Sequence, residues 1–170
     1  MPRNLIIIIF LQLLIFIYGC NKGLSPVSAE QKAGFSGTIT FIGNWPEGIT
    51  RTHLVVFQHE LKSSSDFNII NLKYVSIEIP YGVKKYNFNS TDSSYIPIGA
   101  GTYEYVAVAQ SKTPDLSLIR SDWFVAGVYY SNNDTSKPGV LEIPENTLVR
   151  NINIICNFND PPPQPPGGGN

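Results

Sequence analysis

The chain has 170 residues, with 12 lysines and arginines against 13 aspartates and glutamates, and only 15% of its residues are charged. That length suits one domain. The balanced charge lacks the basic stripe with which nucleic-acid binders neutralise phosphates, so no nucleic-acid partner is expected. Tyr, Phe, Ile, Val and Thr are plentiful and there is a single methionine, a bias that suits pleated, half-buried strands rather than helices.

The chain opens with Arg3 beside the free amine, followed by residues 5–18, which are almost entirely Ile, Leu and Phe with Gln12 the one strongly polar member. A positive start and an apolar run of this length describe a secretory signal. A permanent span is the weaker reading, because crossing the hydrocarbon core takes about 20 apolar residues. The run ends Ile17-Tyr18-Gly19-Cys20, which resembles a bacterial lipobox: aliphatic at −3, small at −1, then the cysteine that receives diacylglycerol. Residues 1–19 are therefore expected to be removed, leaving Cys20 to carry the lipid that holds the protein on a membrane. Asn21 is not the aspartate that resembles an inner-membrane retention signal in enteric bacteria, so the outer membrane is the expected address. With Cys20 lipidated, Cys156 is the only thiol left, and an internal disulfide is not expected despite the oxidising compartment.

Residues 20–33 are polar and read as a tether. From there to residue 159 nearly every signal is strand. Residues 35–42 alternate around Gly37, and residues 44–48 break them as a loop. Apolar runs follow at 51–60, 74–79, 85–89 and 95–98, then 102–110, 123–130, 140–143 and 149–158. The stretch 102–110 is expected to point Tyr103, Tyr105, Ala107 and Ala109 inward. Val106 and Val108 then face out, under the connection 111–122. In the closing strand Ile152, Ile154, Cys156 and Phe158 share one face at period two, which makes Cys156 a small buried apolar residue rather than a nucleophile. About eight or nine short strands with frequent turns form the pattern of an all-β, antiparallel sandwich occupying residues 34–159. Residues 160–170 are rich in proline and glycine, with few amide donors and an extended bias, and are expected to stay off the domain as a disordered tail.

Three stretches carry a family likeness: Gly37-Thr38-Ile39-Thr40-Phe41, the run from Tyr95-Ile96-Pro97-Ile98-Gly99 through Gly101-Thr102-Tyr103 to Ala109, and residues 149–154. Together they resemble transthyretin-like (carboxypeptidase regulatory-like) β-sandwich domains, a kind of immunoglobulin-like sandwich. The whole chain is similar to small lipoproteins of Bacteroidetes-type bacteria that carry one such domain. The resemblance implies a module that accompanies enzymes without performing chemistry, and it brings no catalytic residues with it. The connections 62–74 and 111–122 are longer than in compact members of that family.

No nucleophile elbow, zinc-protease helix or phosphate-cradling loop occurs in the sequence. His53 and His59 fall on one strand face too far apart to share a metal. Residues 63–66 and 131–134 lack the acidic spacing of a calcium loop, and turn chemistry accounts for them. Neither an enzyme activity, a metal nor a cofactor is expected. Trp45, on a loop beside Pro46, and Tyr129 and Tyr130, ending a strand, are the candidate contacts for a glycan or an envelope protein; plain packing at the sandwich ends is their other reading. The expected function is a non-catalytic binding or scaffolding module. The alternative is a structural subunit that assembles through β-edge pairing.

Overall fold

The computed structural model describes residues 32–168. The expected signal peptide, Cys20 and all but the end of the expected tether lie outside them. Residues Gln31–Asn170 form one compact unit. The protein is all-β, with short 3-10 turns as its only helical elements among the described residues. In chain order the strands are β1 (Gly34–Ile42), β2 (Arg51–Phe57), β3 (Leu72–Ser76), β4 (Lys85–Asn89), β5 (Ser94–Ile96), β6 (Gly101–Tyr103), β7 (Tyr105–Ser111), β8 (Trp123–Val128), β9 (Leu141–Ile143), β10 (Leu148–Val149) and β11 (Ile154–Asn157).

Two larger sheets and the two-stranded pair β6-β9 share one core. One runs β5-β3-β2-β7-β8; in the other, β4 lies on one side of β1 and β10 and β11 on the other. The pairings are antiparallel except that β1 runs parallel to both β10 and β11. Phe35 sits at the seam, with its ring edge-on to Tyr74 and Phe88, both at 5.4 Å between centroids. Those partners come from β3 and β4, so three aromatics bind the sheets together at the geometry their quadrupoles favour. Around them lie Ile39, Leu54, Val56, Val106, Val108 and Ile154, all essentially solvent-free.

The closing strand keeps its expected alternation: Ile152, Ile154 and Cys156 are buried while Asn151, Asn153 and Ile155 are exposed. It is nevertheless broken. Asn151 takes φ 65°, and the chain there leans over Gly37 of β1, where a Cβ would stand 2.1 Å from the Ile152 carbonyl oxygen. Only glycine leaves room for that close approach. The Asn153 side chain accepts from the Thr38 amide at 3.0 Å, replacing a ladder bond the break removes.

The expected facing of residues 102–110 is corrected. Tyr103 belongs to the core between the sheets, but so do Val106 and Val108, while Tyr105 and Ala107 belong to a second apolar cluster on the other face. The reason is a break at Glu104. There β6 leaves to pair with β9, and β7 joins β2 and β8. A slip of one residue exchanges the two faces of a strand.

The tail expectation is also corrected, for residues 160–168. Gln164 Oε1 accepts from the Val125 amide at 2.7 Å and its Nε2 donates to the Val125 carbonyl at 2.9 Å. Pro165 is buried, and its carbonyl accepts from Arg120 at 3.0 Å. Prolines lack the amides to add a strand, yet their carbonyls still accept, and one glutamine side chain supplies both halves of a ladder step along the β8 edge.

Candidate functional site: an apolar cavity on the outer sheet face

The alternation that sends Leu54 and Val56 into the core turns His53, Val55 and Phe57 to the opposite face of the five-stranded sheet. Their partners on β7 are Ala109, Ala107 and Tyr105 in that order. Large side chains on β2 thus stand opposite two methyl groups, and the missing volume remains open. The result is a cavity of about 180 Å³ floored by these pairs and by Val125. An apolar cavity of about 150 Å³ is large enough for a benzene ring.

The two long connections roof it. From one come Leu61, Phe67 and Ile69; from the other, Leu116, Leu118 and Arg120. The second connection is anchored at its end, where Trp123 Nε1 donates to the Ser117 carbonyl at 2.8 Å and Ser117 Oγ donates to Asp122 at 2.5 Å. Ile69, Tyr95, Leu116 and Leu118 line the cavity and are also exposed, Leu118 by 66%. A soluble surface rarely gathers such side chains without a partner for them.

Two basic side chains, His53 and Arg120, stand in this wall beside the Ser117 hydroxyl. His53 is 1% exposed, its ring edge-on to Tyr95 and Trp123. Nδ1 donates to the Ser76 carbonyl at 3.0 Å. Nε2 lies 3.2 Å from Glu78 Oε2 but makes no hydrogen bond, and that carboxylate is already held by the Thr52 amide at 2.6 Å and by Arg51 at 3.2 Å. Burial lowers the His53 pKa from its ordinary value, with Glu78 opposing the shift.

Arg120 is 8% exposed. Nη1 donates to the Trp123 carbonyl at 2.5 Å and Nη2 to that of Pro165, and the guanidinium carbon sits 5.8 Å from the Phe67 ring centre. Nε has no partner among the described residues. Burial pulls its pKa down, and the nearby Tyr105 hydroxyl works the other way. The same burial raises the Tyr105 phenol well above its usual range.

The aromatic candidates lie elsewhere. Trp45 packs on Phe41, Tyr81 and Phe158 and donates to the Val83 carbonyl at 3.1 Å, an edge of the main core. Tyr129 leans on the same core, and Tyr130 on the second cluster beside the proline tail. The structure gathers these three into no common site. His59 is exposed and 3.4 Å from Glu104. No group of His, Cys, Asp and Glu able to hold a metal occurs among the described residues. Cys156 is buried, and desolvation raises its thiol pKa. No helix among the described residues is long and apolar enough to cross a membrane.

A scan against protein families found no match, and neither the curated proteins nor the solved structures gave a significant one.

Proposed function

We propose that this chain is a lipid-anchored, non-catalytic binding protein of the bacterial cell envelope, whose site is the cavity beneath residues 61–69 and 116–120. The observation that carries the reading is the opening over Ala107 and Ala109, roofed by connections that keep leucine and isoleucine at the surface. Leaving such side chains in water costs about 25 cal/mol per Å² of apolar area relative to burying them. A ligand that covers them recovers that free energy. The cavity wall offers few polar groups, which suits an apolar ligand better than the glycan the sequence suggested. Anchoring rests on Ile17–Cys20, and the likeness of residues 95–109 to transthyretin-like modules agrees with a role without chemistry.

Edge-to-edge assembly has less support. At the β8 edge Gln164 takes the Val125 step, and β5 spans three residues, too short to template a long pairing.

The test is titration of the Gln31–Asn170 unit, which contains the whole described core, with the neutral probe 4-phenylbutan-1-ol. The Trp123 indole and Val125 amide signals are followed by NMR. Saturable shifts there, lost in Ala109→Met, are expected. A folded protein showing no saturable shift would overturn the reading.

A further inference from the structure

On the reading of this chain as lipid-anchored, we infer that the two connections roofing the cavity are a membrane-docking surface, whose aliphatic side chains enter the headgroup boundary of a phospholipid bilayer. Three observations lead there.

The first is where the exposed aliphatic residues lie. Ile69, Leu116 and Leu118 are exposed and rim one opening, and their chain neighbours Ile70 and Ile119 are exposed as well. A ligand in the cavity of about 180 Å³ lies beneath the rim and leaves its outer surface bare. That surface costs free energy in proportion to its apolar area, and a bilayer takes such side chains up at a depth of about 5–10 Å. Tyr95, exposed at the same rim, has the apolar body and polar tip that suit a membrane–water boundary.

The second is charge. Phe67-Asn68-Ile69-Ile70-Asn71-Leu72 and Leu116-Ser117-Leu118-Ile119 contain no charged residue, so neither stretch carries an ion into lipid, where ions are costly. Each stretch follows an aspartate, Asp66 or Asp115, rather than a basic cluster that anionic lipid would attract. The contact is therefore apolar and independent of lipid charge.

The third is reach. Eleven residues, 21–31, separate Cys20 from the first described residue. They span at most about 40 Å, which is the width of a compact unit of this size, with its radius of gyration of about 14 Å. An anchor at Cys20 lets any face of the domain down onto the membrane. It also holds the rim at a high local concentration of lipid, where a contact too weak to recruit a free protein is still made. The bilayer is the apolar partner that the anchor itself brings to the rim.

The experiment uses residues 21–170 with a histidine tag in place of Cys20, held on phosphatidylethanolamine–phosphatidylglycerol vesicles that carry a nickel-chelating lipid. Amide hydrogen exchange is compared with that of the same protein on nickel-chelating dextran. Residues 67–72 and 116–120 should exchange at least about tenfold more slowly on the vesicles, as amides do when a contact suppresses local opening. The slowing should persist in molar salt, which shortens screening to about 3 Å. It should vanish in the double variant Leu116→Ser, Leu118→Ser, which changes exposed side chains and should unfold near the wild-type temperature. Equal exchange on vesicles and dextran would overturn the docking surface, whether or not the variant folds. Slowing that molar salt abolishes would assign the contact to charges and overturn it too, as would slowing that the double variant retains. Slowing on dextran that grows with protein density would give the rim to a second copy, against the proposal. Because the tag stands in for the lipid, these outcomes judge docking alone, and anchoring is judged separately by the mass carried on Cys20.

Discussion

Gln164 grips the peptide of Val125 at both ends, accepting from its amide at 2.7 Å and donating to its carbonyl at 2.9 Å. One side chain thereby satisfies the Val125 step of the β8 edge, which would otherwise present a free donor and acceptor to another chain. Gln164→Ala should lower stability by about 1 kcal/mol, the net worth of one to two such bonds, read from urea denaturation. Residues 160–168 should also become a faster site of proteolytic cleavage. Wild-type proteolysis in the variant would mean that the tail is held by Pro165 and Arg120 alone.

Gly37→Ala should be far more damaging than its single added methyl suggests. The new Cβ would meet backbone, at 2.1 Å from the Ile152 oxygen, and backbone cannot rotate away. A loss of about 3 kcal/mol or more is expected, measured by thermal or denaturant unfolding. A variant within about 0.5 kcal/mol of wild type, the range of an ordinary surface change, would show that residues 150–153 shift freely off β1.

Stability should fall on mild acidification, with His53 as a cause. Its folded-state pKa lies below the ordinary 6.5, so below that pH the unfolded chain binds the extra proton first. Unfolding is then favoured progressively from about pH 6.5 downward and His53 contributes no penalty above it. The groups around the ring are Glu78, Arg51, Tyr95 and Trp123. His53→Asn, whose amide can still donate to Ser76, should flatten the dependence between pH 7.5 and 5.5. Parallel curves for the two proteins would assign the effect to other groups.

Anchoring has its own test. Wild-type protein should sediment with membranes and carry the mass of its lipid on Cys20, whereas Cys20→Ala should lack that mass and leave the membrane fraction. Protease added to intact cells then tells the faces apart, since only a surface-exposed domain is cut before the outer membrane is permeabilised. Equal release of wild type and variant into the medium would end the lipoprotein reading.

The residues announced some of this architecture and concealed the rest for physical reasons. Lys85–Asn89 was readable to the residue, and so was the buried face through Ile154 and Cys156, because alternation is a local property. The facing of Tyr105 was not, since Glu104 moves the chain from one partner strand to another, and nothing local records a change of partner. The tail misled because proline composition speaks of donors it lacks and says nothing of the carbonyls it offers to Arg120 or of the side chain of Gln164. The cavity left one trace: Ala107 and Ala109 alternate with valines in a strand apolar on both faces. Two small residues in register with large ones on a neighbouring strand mark a gap, but the register that opposes them to Val55 and His53 appears only in the fold.

The parallel pairing of β1 with the last strands sets an order in time. Thr38 and its partner Asn153 are 115 residues apart, so during synthesis one flank of β1 can meet β4 early while its other flank waits for almost the whole domain to emerge. Until then the nascent chain displays an unpaired apolar strand, the species that chaperones retain and that aggregates when they do not. A ribosome that stalls before residue 148 would therefore release a chain with its first strand half-clothed, and how well the chain is guarded in that interval sets its yield.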